Sequence, residues 1–195
     1  FLPQTDCLVD RESMHVFCPD EDEGQLTAVI MNAWFMYHKY NWPPSVYILP
    51  YFTAVHVSET DYYQIGEDFF NEQNTAYFQK YAPVGCRDRH TLQMFAKKNI
   101  TAYFSGCLTL TLKKQPGIAK KDCIYLVDVD DEIRKKTESF GLPYEIVTAT
   151  HDMQPHTQFD WELRREAVRR RLAEYQSARL VVTTRLHCAL PCLAL

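Results

Sequence analysis

Residues 83–112, PVGCRDRHTLQMFAKKNITAYFSGCLTLTL, decide the fold of this chain. Their pattern predicts a buried strand over 83–86, a charged turn, a helix with apolar residues on one side, and a second strand over 100–104. This order makes one βαβ unit, and the ligands of parallel sheets collect at the carboxyl ends of the strands. We therefore expect chemistry at the turns that follow the strands, 86–88 and 105–107.

Size and composition are those of an ordinary globular protein. The 195 residues allow one large domain or two small ones, and 46% of them are apolar. The net charge of −4 argues against nucleic acid as a partner. No apolar run reaches the length of about 18 residues that indicates a transmembrane segment. The cysteines number seven and lack zinc-site spacing, so we expect reduced thiols, no metal and a cytoplasmic location.

Upstream of the βαβ unit, the pattern predicts further strands of a first α/β half. Apolar runs predict strands at 7–10, 27–32 and 52–57, and helical spacing predicts a helix over 67–81. Consecutive acids within 19–24 are typical of a solvated loop.

Downstream, strand–helix alternation begins again after a basic segment. KKQPGIAKK at 113–121 contains four lysines and a Pro-Gly pair, which is typical of a linker. The pattern then predicts, in order, a strand at 123–127, a helix at 131–139, a strand at 144–148, a helix at 161–177, a strand at 180–183 and a helix from Arg185. Alternation on both sides of a linker predicts an α/β protein of two halves with parallel sheets, 1–112 and 122–195.

The predicted helix at 161–177 is rich in arginine. Its spacing places Trp161, Val168, Leu172 and Tyr175 on one face, which we expect to be buried. The arginines then fall on the solvated face, paired with nearby acids.

The sequence Thr183-Thr184-Arg185-Leu186-His187 is the first candidate site, because a predicted strand gives way there to a helix. Backbone N–H groups and the helix dipole favour an anion at such a point, and the Arg185 guanidinium matches a phosphate or carboxylate. His187 is suited to donate to the same anion or to protonate a reacting group. The structural alternative is that Arg185 forms a salt bridge and His187 caps or packs.

The two turns of the βαβ unit carry further candidates. Arg87 is the candidate that meets a ligand carboxylate, whereas Asp88 is placed as the N-cap of the next helix. Ser105 and Gly106 offer a hydroxyl and a backbone that a ligand can approach closely. The alternative is a tight turn that needs glycine for its dihedral angles.

Asn32 and His56 each end an apolar strand of the first half. His56 is the candidate base that takes a proton from an acceptor hydroxyl, with a hydrogen-bonded structural histidine as the alternative. Asn32 is a candidate for binding the substrate.

Several segments occur in a recognisable order: IMNAW, NWPPS, PVGCRDRHTL, AYFSGCLTLTL, the strand that ends in Asp128, and TTRLHCALP. Together they resemble the polysaccharide pyruvyl transferase family, and GCRD with AYFSGCLTLTL is the most specific block. The resemblance implies a glycosyltransferase-B-like fold, with two Rossmann-like halves facing across a cleft. It also implies transfer of the enolpyruvyl unit of phosphoenolpyruvate to a sugar as a pyruvate ketal, with Arg185, Leu186 and His187 holding the donor.

The resemblance sets expectations for partners and for extent. It implies a saccharide acceptor and no cofactor beyond phosphoenolpyruvate as donor, while contact with a lipid-linked glycan and the oligomeric state stay open. The family's Gly-Asp-rich first strand and helix, and all that follows the Arg-Leu-His helix, are missing, so we expect a fragment with an incomplete second half. Two alternatives remain: a glycosyltransferase that uses a nucleotide sugar, and a non-catalytic module that binds sugar or protein.

Overall fold

A computed structural model describes residues 7–19, 24–35, 41–58, 67–152 and 160–195. The consecutive acids of the predicted 19–24 loop lie outside these ranges. The described residues form two compact units. The first unit lies within Gln4–Leu108, and the second is Thr109–Leu195. Both contain small parallel sheets and helices, as expected for an α/β protein.

The first unit carries four strands and two α-helices in its described part. In chain order they are β1 (Thr27–Met31), β2 (Ile48–Phe52), α1 (Glu72–Lys80), β3 (Val84–Cys86), α2 (Arg89–Lys97) and β4 (Ala102–Phe104). Short 3-10 helices lie at Arg11–Val16, Glu67–Phe70 and Leu108–Thr111. β1 pairs in parallel with β2, and β3 pairs in parallel with β4. The βαβ unit predicted from 83–112 is therefore present as β3, α2 and β4.

Helix α2 begins and ends through local chemistry. Asp88 is its N-cap, and the Asp88 carboxylate accepts from the N–H of Thr91 at 2.8 Å. Thr91 and Phe95 are fully buried and fix the helix to the sheet. Asn99, with φ of 55°, adopts the left-handed conformation that ends helices and turns the chain toward β4.

Two predicted strands of the first unit are wrong. Residues 7–10 are irregular and lead into a 3-10 helix, with Asp10 as its N-cap. At 52–57 the regular strand lies earlier, in β2, which contains Pro50. A proline within an apolar run argues against a strand, so the sequence pattern at 48–52 does not indicate β2. Ala54, with φ of 52°, interrupts extended structure within 52–57.

The 53–57 segment nevertheless joins the two strand pairs of the first unit. Val55 bridges Cys86 of β3, and His56 bridges Trp34 just beyond β1. The amide of Arg87 also donates to the carbonyl of Val55 at 2.8 Å. The carboxyl ends of these strands consequently lie side by side.

An aromatic cluster forms much of the first unit's core. Trp42 stacks on Phe78 with ring centres 5.2 Å apart, and Phe95 meets Phe78 edge-on at 4.9 Å. Phe52 of β2 adds a further ring, 5.1 Å from Phe78. Aromatic pairs of this kind contribute about 0.5–1.5 kcal/mol each beyond the area they bury.

The second unit alternates strands and helices throughout. Its elements are β5 (Cys123–Val127), α3 (Asp131–Ser139), β6 (Glu145–Ala149), α4 (Trp161–Ser177), β7 (Leu180–Thr183) and α5 (Leu186–Ala194). The sheet has the order β6-β5-β7, and both pairings are parallel. Every residue of the central strand β5 is buried. Because the strands are parallel, their carboxyl ends meet at one edge of the sheet.

The predicted buried face of α4 is wrong in its first half. Trp161 is 37% exposed and Val168 is 47% exposed. Burial is concentrated in the last turn, which includes Tyr175 and Gln176. The Gln176 amide exchanges hydrogen bonds of 2.7 and 2.6 Å with the backbone of Gln115, within the segment predicted as a linker. The helix is therefore anchored at its carboxyl end.

All seven cysteines are free thiols. Cys86, Cys123 and Cys188 are buried, whereas Cys7 and Cys18 are exposed. None of the described helices is long and apolar enough to cross a membrane.

Candidate functional site

Arg185 lies at the carboxyl edge of the second unit's sheet, where β7 ends and α5 begins. Its Nε is 2.7 Å from Oδ2 of Asp128, and its Nη2 is 3.2 Å from Oδ1 of Asp152. The three residues follow β7, β5 and β6 respectively, so each strand of this sheet contributes one charged group to the edge. The Arg185 side chain is 46% exposed, which leaves part of the guanidinium open to solvent.

Asp128 is the fixed member of this cluster. Its side chain is only 12% exposed, and its Oδ2 accepts from the N–H of His151 at 3.0 Å. The hydroxyl of Thr184 donates to its carbonyl oxygen at 2.8 Å. Burial acts to raise the pKa of Asp128, but hydrogen bonds from Thr150 and His151 and the charge of Arg185 outweigh it and lower that pKa. The carboxylate is thus ionised at neutral pH and holds Arg185 in place.

Asp152 is the exchangeable member. Its side chain is 81% exposed, and ion pairs between exposed groups contribute little, about 0–1 kcal/mol. A phosphate or carboxylate that forms two hydrogen bonds with the guanidinium can therefore replace Asp152 at little cost.

His151 adds a neutral imidazole to the same edge. Its Nε2 is hydrogen-bonded to the hydroxyl of Tyr175, a buried residue of α4. Burial is the main cause that lowers the pKa of His151. The ring is consequently uncharged at neutral pH and is suited to accept or relay a proton rather than to bind an anion by charge.

In the first unit, His56 and Asp88 form a close pair. Nδ1 of His56 lies 2.6 Å from Oδ2 of Asp88, which also accepts from the Thr91 hydroxyl at 3.0 Å. Burial acts to raise the pKa of Asp88, but the hydrogen bonds from Thr91 and His56 outweigh it and lower that pKa. The sequence alone predicts only the capping role of Asp88 and does not reveal this pair. The available signal was that His56 and Asp88 each end one of two adjacent parallel segments.

The turn after β4 uses its polar groups internally. Oγ of Ser105 donates to the carbonyl of Cys86 at 3.1 Å and accepts from the N–H of Ala54 at 2.9 Å. Gly106 has φ of 71°, the left-handed region that favours glycine, and a Cβ there would meet no atom within 4 Å. Ser105 therefore ties the 53–57 segment to the end of β3, while the surface beside Gly106 is open.

The other candidates fall at the expected ends of elements. Arg87 follows β3 and is partly exposed, and Asn32 follows β1 and is exposed. Leu186, 59% exposed, and His187, also exposed, form the first turn of α5. The first unit thus gathers His56, Asp88 and the backbone of Arg87, and the second unit gathers Arg185 with groups at all three strand ends.

No cluster of three or more His, Cys, Asp or Glu residues that could hold a metal ion exists within the described ranges. The chemistry that these residues offer is anion binding at Arg185 and proton transfer at imidazole groups.

Parallel sheets with polar groups at the carboxyl ends of their strands define an α/β protein of the class that binds ligands at this edge of the sheet. The family model described as polysaccharide pyruvyl transferase matches residues 65–195, and the chain belongs to that family. The resemblance read from the sequence is therefore confirmed, and the matched part includes Arg87, Asp88 and Arg185. Neither the curated proteins nor the solved structures gave a match to the chain.

Proposed function

We propose that the protein transfers the enolpyruvyl unit of phosphoenolpyruvate to a saccharide and forms a pyruvate ketal. The observation that carries the proposal is Arg185, a half-exposed guanidinium at a strand-to-helix junction inside the family-matched part of the chain. A guanidinium at a helix N-terminus suits a donor that carries both a phosphate and a carboxylate.

The reaction assigns definite tasks to protein groups. The vinyl carbon of the donor gains a proton and becomes a methyl group, and the neighbouring carbon develops positive charge. Two hydroxyls of the sugar each form a C–O bond to that carbon, and the phosphate leaves as inorganic phosphate. One of the two hydroxyl protons balances the proton taken up by the vinyl carbon, and the other leaves with the phosphate. The protein must therefore hold an anion, supply an acid and supply a base.

The residues fit these tasks as follows. In the proposal, Arg185, Leu186 and His187 hold the donor, and His187 supplies the proton. Arg87 meets the donor's carboxylate, and His56 takes the proton of an acceptor hydroxyl. Ser105, Gly106 and Asn32 are assigned to substrate binding.

The proposal includes a glycosyltransferase-B-like arrangement of the halves 1–112 and 122–195, joined by 113–121, in a cytoplasmic protein that uses no cofactor besides its donor. An experimental structure of the protein with phosphoenolpyruvate would test the arrangement. Activity in the presence of a chelator would test the independence from metals.

The activity is tested with phosphoenolpyruvate and a panel of glycans, with mass spectrometry to detect the ketal and a phosphate assay to detect release. We expect a ketal with at least one glycan. Arg185→Ala should lower kcat/KM about 100-fold or more, since a lost contact of this kind costs about 3 kcal/mol. Arg185→Lys keeps the positive charge but loses the planar guanidinium. Its kcat/KM should therefore lie between that of the parent protein and that of Arg185→Ala.

The matched control is Arg179→Ala. Arg179 flanks the other end of β7 and pairs with an exposed aspartate, Asp122, at 3.0 Å. It lies at the amino edge of the sheet, so its loss should leave kcat/KM unchanged. A panel without any ketal, together with thermal stabilisation by a nucleotide sugar, would replace the proposal with a glycosyltransferase. Unchanged biological function in Arg185→Ala would favour a binding module.

A further inference from the structure

Both the backbone and the ring of His56 have polar partners. The backbone N–H donates to the carbonyl of Ala33 at 3.3 Å, and the neighbouring Val55 is bonded to the backbone of β3. The side chain is 30% exposed, and Nδ1 of the ring lies 2.6 Å from Oδ2 of Asp88. Among the described residues, none forms a hydrogen bond with Nε2 of His56. Nδ1 is thus engaged, and no described residue engages Nε2.

Asp88 is held more firmly than a helix cap requires. Capping uses Oδ1, which accepts from the N–H of Thr91 at 2.8 Å. Oδ2 is not needed for the cap, yet it accepts from the Thr91 hydroxyl as well as facing His56. The Thr91 hydroxyl is itself fixed, because it accepts from the N–H of Val57 at 3.1 Å. Oδ2 of Asp88 thus lies between two polar neighbours, the Thr91 hydroxyl and Nδ1 of His56.

The charge state of Asp88 determines which nitrogen of His56 carries the proton. An ionised carboxylate only accepts hydrogen bonds, so the nitrogen that faces it must be the donor. Neutral His56 therefore has its proton on Nδ1 and a lone pair on Nε2, the nitrogen that no described residue engages. A lone pair that can accept a substrate proton is what a general base requires.

We infer that Asp88 is a positioning residue, which fixes His56 in the Nδ1–H form so that Nε2 accepts the proton of the acceptor hydroxyl. The inference rests on the proposed function for the identity of the acceptor, a saccharide hydroxyl. His56 lies before the family-matched range of 65–195, and Asp88 lies inside it. The pairing of these two residues is thus an observation of this structure alone.

Other titratable and charged groups near the pair are few in the described part of the chain. Cys86 of β3 is kept as a neutral thiol, because burial and the charge of Asp88 raise its pKa to about 12. Arg87 adjoins Asp88 in the same turn, and Arg89 and His90 lie in the exposed first turn of α2. Thr91 contributes only neutral donors and acceptors.

The decisive variant is Asp88→Asn, because asparagine caps a helix as well as aspartate does. Its amide can donate to Nδ1 of His56, which moves the ring proton to Nε2 and removes the lone pair from that nitrogen. We expect kcat/KM for the acceptor to fall roughly 100-fold, within the range that a general base contributes. The dissociation constant for phosphoenolpyruvate should stay within about twofold, because Arg185 is untouched.

Two measurements distinguish a positioning role of Asp88 from a purely structural one. Long-range ¹⁵N–¹H correlation spectra should show the His56 proton on Nδ1 in the parent protein and on Nε2 in Asp88→Asn. The acidic limb of the pH profile of kcat/KM should change in the variant. Asp88→Ser keeps a cap without any group that reaches His56, so it should lose the fixed tautomer and preserve the fold.

Asp130→Asn is the matched control, because Asp130 caps α3 through the N–H of Ile133 at 2.8 Å and has no histidine partner in the described part of the chain. It should leave the kinetics unchanged. Parent protein with its proton on Nε2, or Asp88→Asn with an unaltered tautomer and rate, would overturn the inference. Absence of pyruvyl transfer in the parent would contradict the proposed function alone, since the spectra decide the tautomer without any substrate.

Discussion

The guanidinium of Arg185 forms ion pairs with two carboxylates that differ in burial. Asp128 is 12% exposed and anchored by neighbouring backbone and hydroxyl groups, whereas Asp152 is 81% exposed. The buried carboxylate orients the Nε side of the fork. The exposed one competes with any ligand anion for the Nη2 side.

The two carboxylates should therefore have opposite effects on binding. Asp128→Asn should weaken phosphoenolpyruvate binding about tenfold or more, because Arg185 loses its fixed partner. Asp152→Asn should tighten binding about two- to fivefold, because an exposed competitor of modest strength is removed. Isothermal titration calorimetry with phosphoenolpyruvate measures both.

The control for this pair is Asp122→Asn, which frees Arg179 at the other end of β7. It should leave the affinity unchanged. If Asp128→Asn and Asp152→Asn both tightened binding equally, the carboxylates would act only as nearby negative charges, and the difference in burial would be irrelevant.

At the scale of the element, strand β3 depends on a glycine at its centre. A Cβ on Gly85 would come within 2.9 Å of both Cα of Thr53 and the hydroxyl oxygen of Tyr103. The Thr53 atom belongs to the backbone and cannot move without shifting the 53–57 segment. The close approach of this segment to β3 is also what brings His56 to Asp88.

Gly85→Ala should lower the free energy of unfolding by about 1–3 kcal/mol, as is usual when a packed site is overfilled. Urea denaturation followed by aromatic fluorescence measures the change. Gly24→Ala is the control, because a Cβ there meets no atom within 4 Å. A Gly85→Ala protein as stable as its parent would show that the segment has room to adjust.

Elements of the second unit were predictable because their local signals agree with their tertiary surroundings. Asp130 and Asp160 directly precede α3 and α4, and each caps its helix through a side-chain oxygen. β2 was not predicted because Pro50 disfavours a strand locally. The strand forms because its residues pair with β1. Trp161 and Val168 have the spacing of a buried helix face, but no part of the described second unit buries them.

The candidate site was predictable only in part. The N-cap role of Asp88 and the position of Arg185 were predictable, because strand-to-helix junctions can be read along the chain. The His56–Asp88 pair joins residues 32 positions apart, and Arg185 meets Asp128 and Asp152 from two other strands. Such contacts depend on sheet register, which a single sequence leaves undetermined.

At the scale of the whole molecule, three buried or half-buried groups make stability depend on pH in the same direction. The pKa values of Asp88, Asp128 and His151 are all lowered in the folded protein. Each group therefore binds more protons in the unfolded chain, so the free energy of unfolding rises with pH. The contribution of His151 is complete above its ordinary pKa of about 6.5, and that of the two aspartates is complete above about 3.9.

Stability should consequently decline in two stages as pH falls. The first decline begins below about pH 6.5 and should be reduced in His151→Gln, and the second begins below about pH 3.9 and should be reduced in Asp128→Asn. Urea denaturation between pH 3 and 8, a range of about five units around these values, measures both stages. Stability that increased on acidification through either range would contradict the assigned directions.

The distribution of the free thiols gives the molecule a built-in set of labels. Cys86 reports on the first unit, and Cys123 and Cys188 report on the second, whereas Cys7 and Cys18 react without any opening. A maleimide pulse under native conditions, followed by peptide mass mapping, would therefore time the transient opening of each unit separately. Variants of the Asp88 and Asp128 networks can then be compared by the rate at which each unit opens, as well as by their catalytic activity.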